Sequence, residues 1–96
     1  MVLSEDFTVR QLFLSACRKN EVEFVRSLIF HEANVNWKDN NGISGLFIAA
    51  RNNYGDLLEL LLTQTGVNVN ITDRLNFTPL MAACGRGHEN IVRRLC

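Results

Sequence analysis

Residues 76–88 read NFTPLMAACGRGH, and their pattern occurs twice more, earlier in the chain. The small pair Ala83-Cys84 within them is followed at helical spacing by larger apolar residues. Small pairs also occur at Ala49-Ala50 and at Ala16-Cys17, and each is followed by similar apolar residues. The copies therefore begin about a third of the chain apart, a period typical of arrays in which each repeat is one supersecondary unit.

The large apolar residues of each copy have the spacing of an amphipathic helix. They are Phe24, Val25, Leu28 and Ile29 in the first copy and Leu57, Leu58, Leu61 and Leu62 in the second. Each set forms one stripe on a helix surface. The small pairs lie on a shorter preceding helix, whose backbone must approach its neighbour closely. The pattern thus predicts an all-α chain of paired helices, with equivalent leucines buried against each other.

The third copy resembles the T-P-L-H-x-A-A-x-x-G-H signature of the ankyrin repeat. Residues 32–36 and 66–70 look like the G-A-x-V-N approach to the hairpins of that family. The resemblance covers the chain from about Thr8 to Cys96. It implies an all-α ankyrin-repeat solenoid of about three helix-turn-helix repeats joined by hairpin-like loops. The expected domain is 1–96, with repeats at about 7–39, 40–73 and 74–96, the last of them truncated.

The chain departs from the family pattern at several positions. Leu80-Met81 and its equivalents lack the usual histidine. Gly45 stands where proline is expected, which should loosen the start of that helix. The first copy lacks the T-P-L entry, and Thr8-Val9-Arg10-Gln11 is interpreted as a capping box that opens its first helix. The last copy stops at Cys96, so either the natural protein continues with more repeats or this chain is a shortened form.

The cysteines and histidines suggest no catalytic, cofactor or metal site. The three cysteines, Cys17, Cys84 and Cys96, lie in apolar helical patterns, which predicts core packing in a reducing compartment. None has metal-ligand spacing. His31 and His88 have no partner placed for acid–base work. Redox sensing through Cys17 or Cys84 stays open as an alternative that requires exposed thiols of low pKa.

The charge and the N-terminal residues favour a cytoplasmic or nuclear monomer that does not contact a membrane. Ten acids balance ten bases. Residues 1–10 include Glu5 and Asp6 and lack the apolar core of a signal peptide. No stretch approaches the roughly 18 apolar residues of a membrane span.

The resemblance implies that a partner binds at the hairpin tips and the exposed side of the first helices. On this face the aligned copies form two rows: Arg18, Arg51 and Gly85, then Lys19, Asn52 and Arg86. Lys38 and Arg74 lie at the hairpins, whereas five of the ten acids fall toward the other side: Glu21, Glu23, Asp56, Glu59 and Glu89. The rows indicate either a basic groove for an acidic partner segment or a solvated face with incidental bases.

Trp37 replaces a usually small residue near a hairpin, where it would either anchor a partner or pack over the hairpin stem or against a neighbouring copy. Phe77 and Ile43 are similar candidates. The predicted partner-binding residues are Arg18, Lys19, Trp37, Lys38, Asn40, Asn41, Ile43, Arg51, Asn52, Arg74, Phe77 and Arg86.

The predicted function is a non-catalytic protein–protein interaction module, namely the N-terminal repeats of a larger adaptor or scaffold. The alternative is a self-contained regulator that inhibits an enzyme such as a kinase by surface binding. Nucleic acid is disfavoured because it needs a denser basic cluster and stacking aromatics.

Overall fold

The computed structural model describes the backbone of residues 2–96 and the side chains of residues 8–96. Its helices follow one another in three pairs, and each pair packs together. The helices are α1 (Val2–Arg18), α2 (Val22–Phe30), α3 (Gly45–Asn52), α4 (Gly55–Leu62), α5 (Pro79–Arg86) and α6 (Glu89–Leu95). The predicted all-α architecture of paired helices is confirmed.

The pairs stack side by side into two rows of helices. In the first row α1 packs against α3, and α3 packs against α5; in the second row α2 packs against α4, and α4 packs against α6. The stack measures 43 × 27 × 23 Å. This arrangement is that of a solenoid, in which each unit contacts only its neighbours.

Burial is greatest in the middle pair because it is covered from both sides. Leu57, Leu58 and Leu61 of α4 are at most 1% exposed. The counterparts of Leu61 in the outer pairs, Leu28 and Leu95, are half-buried and pack against the same core. Equivalent leucines therefore lie in like surroundings, as the repeat predicts.

The small residues of the first helices allow neighbouring helices of the first row to approach each other closely. Gly45 shows this best, because a Cβ there would lie 2.9 Å from the Sγ atom of Cys17. The expectation that Gly45 loosens the start of α3 is wrong. Gly45 is buried, and Ser44 caps the helix by accepting a hydrogen bond from the Phe47 N–H (3.2 Å).

Left-handed residues end the first helices at equivalent positions. Asn20, Asn53 and Gly87 have φ angles of 57°, 61° and 73°. Asparagine and glycine tolerate this conformation better than other residues. The chain can therefore turn sharply from the first to the second helix of each pair.

The helix starts agree with the sequence prediction in α5 but not in α1. Pro79 begins α5, where its missing N–H has no helical partner to lose. Thr8, in contrast, lies inside α1, which begins at Val2, so the capping box predicted there is wrong. Residues 2–7 contain neither glycine nor proline, and nothing in their sequence interrupts the helix.

The core packing predicted for the cysteines is correct only for Cys17. Cys84 and Cys96 are exposed. Cys84 is equivalent to the fully buried Ala50, which faces the next helix pair. No further pair covers α5 on that side in residues 2–96, so the thiol of Cys84 stays at the surface.

Two glycines near the end of α5 provide a matched test of the backbone argument. A Cβ added at Gly85 or at Gly87 would meet no heavy atom within 4 Å, but only Gly87 has a positive φ. We expect Gly85→Ala to raise the free energy of unfolding by about 0.5–1 kcal/mol through helix propensity. Gly87→Ala should lower it by about 1–2 kcal/mol. Urea denaturation measures both, and equal shifts would contradict the assignment.

Candidate partner-binding groove

The two hairpins are shaped by an aspartate at the same place in each. The Asp73 Oδ1 atom accepts hydrogen bonds from the N–H groups of Leu75 and Phe77, both at 2.9 Å. Asp39 does the same for Asn41 (2.8 Å) and Ile43 (2.9 Å). Each carboxylate thereby holds a hairpin in one conformation, which positions the side chains of its outer residues.

Neighbouring hairpins are also joined directly. The Asn41 carbonyl accepts the Arg74 N–H (3.1 Å), and the Asn41 Oδ1 atom accepts a hydrogen bond from Arg74 Nη1 (3.0 Å). Gly42 is required at this approach, because it has a φ of 77° and a Cβ there would lie 2.8 Å from the Arg74 nitrogen. The hairpins therefore form one continuous edge.

An open groove of about 570 Å³ lies between this edge and the first helices α3 and α5. Its lining includes apolar side chains that are unusually exposed: Leu75 is 72% exposed, Met81 is 53% exposed and Phe77 is 49% exposed. Ile43 and Phe47 complete the apolar lining. Exposed apolar side chains collected in a concavity are typical of a binding site.

Two arginines border the groove at the ends of α3 and α5. The Arg51 Cζ atom lies 5.6 Å from the centroid of the Phe47 ring, and Arg86 lines the same groove. Among the described residues, neither arginine forms an ion pair. Gly85 occupies the place that Arg51 has in the preceding copy, and the absence of a side chain leaves the groove open there.

The groove continues toward the hairpin tips. A neighbouring depression of about 380 Å³ shares Ile43, Asp73 and Leu75 with it and adds Asn41 and Arg74 to the lining. A segment bound along this face would therefore pass Arg74 at the hairpins and then Arg51 and Arg86 at the helix ends.

The structure brings some of the predicted binding residues together and leaves others apart. Ile43, Arg51, Phe77 and Arg86 line the groove, and Asn41 and Arg74 line the adjoining depression. The remaining charged or polar candidates lie outside both linings. Among them, Arg18, Lys19 and Asn40 are exposed, and Lys38 and Asn52 are half-buried.

Arg18 is engaged by an ion pair. Its Nη2 atom lies 2.8 Å from Asp39 Oδ2, which joins the end of α1 to the first hairpin. This differs from the basic row expected from the sequence, in which Arg18 and Arg51 are equivalent.

Trp37 is half-buried and packs against the first helix. Its ring meets Phe13 edge-on with centroids 6.0 Å apart, and the Arg10 Cζ atom lies 5.5 Å from its centroid. The packing alternative thus describes its position, and a role as partner anchor stays a prediction.

The sequence analysis missed Phe47, Leu75 and Met81 as groove residues. A signal existed for two of them. Leu75 is apolar within the polar stretch 73–76 and is equivalent to Asn41, and Met81 stands where the resemblance expects histidine. Phe47 gave no such signal because its position also suits a core residue.

The charges on the second helices are largely matched within that row. Three ion pairs lie there: Arg26–Glu23 (3.1 Å), Arg93–Glu89 (3.7 Å) and Arg94–Glu59 (2.6 Å). These exposed pairs contribute little stability, but they neutralise the face away from the groove. The groove and the adjoining depression, in contrast, hold three arginines, Arg51, Arg74 and Arg86, with one acid, Asp73, in their linings.

Bonds between successive pairs fix the helices that carry the groove. The Tyr54 hydroxyl donates to the Arg18 carbonyl (3.1 Å), and His88 Nε2 donates to the Arg51 carbonyl (2.9 Å). Tyr54 and His88 are equivalent residues at the starts of α4 and α6. His88 therefore joins two repeats, beyond the turn role that its place in the sequence suggests.

The thiol of Cys17 is unsuited to redox sensing. Burial raises its pKa from 9.0 to about 12, which disfavours the reactive thiolate at neutral pH, and the nearby Arg18 offsets this only in part. Elsewhere, in the part of the chain with described side chains, no group of three or more His, Cys, Asp or Glu residues is placed to hold a metal ion. None of the described helices is long and apolar enough to cross a membrane.

Comparison with known proteins gives a family and several long relatives. The family model for ankyrin repeats, in three copies, matches residues 12–96. The chain is 33% identical over 82 residues to the SMC5-SMC6 complex localization factor protein 1 of Bos taurus. The matched segment covers 85% of this chain and 7% of that protein. The human protein of that name is 32% identical over 82 residues, with the same coverage. The ankyrin repeat and KH domain-containing protein mask of Drosophila melanogaster is 33% identical over 87 residues, covering 85% of this chain and 2% of that protein.

Thiol labelling distinguishes the cysteines. With a disulfide reagent at neutral pH, we expect Cys84 and Cys96 to react at once because they are exposed. Cys17 should react only as fast as the chain unfolds, since its thiol is buried and protonated. Mass spectrometry identifies each labelled residue. Rapid labelling of Cys17 in the folded chain would contradict its burial, and redox sensing through the exposed Cys84 stays a prediction.

Proposed function

The chain belongs to the ankyrin-repeat family, and from this premise we propose that it is a non-catalytic module that binds a segment of another protein in the groove between its second and third copies. Ankyrin repeats generally bind other proteins and do not catalyse reactions. Beyond this general role, we propose that the partner binds in the groove between α3, α5 and the hairpins.

One observation carries the proposal. Leu75, Phe77 and Met81 expose about half or more of their surface in one concave site that two arginines border. Large apolar side chains gain free energy when a partner covers them. Their counterparts in the second copy, to which the third copy is adjacent, are the polar Asn41, the half-buried Ile43 and the buried Phe47.

Ile43, Arg51, Phe77 and Arg86 would form the centre of the binding surface, with Asn41 and Arg74 beside them. The other predicted contacts would extend it along the same face: Arg18, Lys19, Trp37, Lys38, Asn40 and Asn52.

The context that we propose is a larger adaptor or scaffold, in which residues 1–96 form a single ankyrin-repeat domain with repeats at about 7–39, 40–73 and 74–96. The support is that the chain spans less than a tenth of the length of the relatives described above. The exposed Cys84 face is compatible with a further repeat stacking there. No observation specifically favours the alternative of a self-contained enzyme inhibitor.

A monomer in the cytoplasm or nucleus suits this function. The support is that Cys17, Cys84 and Cys96 are all free thiols, as expected in a reducing compartment. A nucleic-acid partner is less suitable, because the groove combines only two bordering arginines with a mostly apolar lining.

Charge reversal tests the groove. Arg51→Glu with Arg86→Glu should weaken partner binding by about tenfold and flatten its salt dependence, because both arginines would attract an acidic partner. The partner is first captured from cell lysate with the wild-type chain and identified. Its affinity for each variant is then measured over a range of salt concentrations.

Arg26→Glu with Arg93→Glu is the matched control, since it reverses the same number of charges on α2 and α6, outside the groove. Circular dichroism checks that both double variants fold. If the groove variant binds its partner as tightly as the wild type, the proposed site is wrong.

A further inference from the structure

We propose that the groove recognises a partner segment in which a large apolar side chain lies next to aspartate or glutamate residues. This inference rests on the proposed function and specifies the chemistry of the occupant. The inference depends on two observations. The groove has a mostly apolar lining bordered by Arg51 and Arg86, and the adjoining depression adds Arg74.

The lining suits one large apolar side chain. Phe77 supplies an aromatic surface, Leu75 an aliphatic one, and Met81 adds a flexible thioether that adapts to irregular shapes. The volume of about 570 Å³ lies in the roughly 300–1,000 Å³ range of ligand sites. A small or polar side chain would leave much of this apolar surface in water.

The arginines favour acidic residues in the partner segment on either side of its apolar residue. Arg51 and Arg86 lie at the helix end of the groove, and Arg74 lies beside the hairpin end. Guanidinium groups bind carboxylates with two parallel hydrogen bonds. Acidic residues flanking the apolar one would therefore meet a cation on either side.

The arginines outnumber the acids on this face. Asp73 lines both the groove and the adjoining depression, and its carboxylate stays negative while its Oδ1 atom accepts two backbone N–H groups. One acid therefore faces three arginines, Arg51, Arg74 and Arg86. Asp39 is paired with Arg18. The ion pairs of the second helices take up Glu23, Glu59 and Glu89.

The opening at Gly85 gives access to the lining. Arg51 stacks over Phe47 at the equivalent position in the second copy, whereas a Cβ at Gly85 would meet nothing within 4 Å. A large side chain introduced at Gly85 would project into this space without disturbing the core. It would block the groove and leave the arginines in place.

The test begins with a random peptide library displayed on phage and selected against the folded 96-residue chain. Fluorophore-labelled synthetic peptides with the enriched sequence are then titrated by anisotropy, at low and at physiological salt. We expect enrichment of a large apolar residue with neighbouring acids. Replacing the apolar residue by alanine should weaken binding about tenfold. Replacing each acid by its amide should weaken it roughly two- to fivefold.

The variants divide these effects between the lining and the arginines. Gly85→Leu should weaken binding at least tenfold, whereas Gly55→Leu, which adds the same side chain at an open position on α4, should not. With Arg51→Gln and Arg86→Gln, replacing the peptide acid on the helix side should no longer matter, whereas replacing the acid that faces Arg74 should keep its effect. Circular dichroism and thermal unfolding confirm that each variant folds.

Three outcomes would overturn the inference. Peptides enriched without acids, yet sensitive to Gly85→Leu, would leave the groove as a protein-binding site with a different selectivity. A selection that yields no peptide, or only peptides insensitive to both groove variants, would refute the groove as well. Equally tight competition by a single-stranded oligonucleotide would indicate a nucleic-acid site instead.

Discussion

The stacking of one helix pair on the next is the constraint on which the rest of the structure depends. No single pair can bury its apolar stripe alone, because each pair has an apolar surface on both sides. Leu57 of the middle pair is fully buried, whereas the equivalent Phe24 of the first pair is 43% exposed. The difference lies in the neighbour, since Phe24 faces the side of α2 on which no earlier pair packs within residues 2–96. Burial in this fold is thus set by place in the stack as much as by side chain.

Stacking also brings side chains of one pair within hydrogen-bond distance of backbone groups of the next. Successive pairs lie close enough for the Tyr54 hydroxyl and His88 Nε2 to reach carbonyls at the end of the preceding first helix. At the other edge, Asn36 joins the first connection to the second by accepting the Asn68 N–H and donating to the Gly66 carbonyl, both at 2.9 Å. Side chains at repeated positions therefore tie the edges of the stack, and the helix rows align between them. The groove inherits its shape from this framework.

The sequence predicted the features that all copies share. It missed features of single residues that depend on whether a neighbouring pair covers their copy. The helix pairs, the buried leucines and the start of α5 at Pro79 followed from spacing and turn chemistry. The exposure of Cys84 did not, because its pattern is that of a core residue and only the absence of a covering pair in the described chain exposes it. The position of Trp37 was left between two alternatives, because a sequence does not tell which neighbour an aromatic ring will contact. Of the expected basic rows, Arg51 and Arg86 line the groove, whereas Arg18 is paired with Asp39, because a sequence alignment of copies does not tell which acid each base will meet.

This last difference distinguishes the junction of the second and third copies, where the groove lies, from the junction of the first and second. At the earlier junction, Arg18 bonds to Asp39 and Trp37 packs on Phe13, so the charge is paired and an aromatic ring covers the first helix. At the later junction, Arg51 lies over the Phe47 ring and forms no ion pair with Asp73, although Asp73 is bonded to its hairpin in the same way as Asp39. Ile71 stands where Trp37 would be and is buried, so no large ring covers the lining. The same repeat thus pairs its arginine with its aspartate at one junction and leaves them apart at the next, and a few side chains set the charge and the apolar surface that each junction presents.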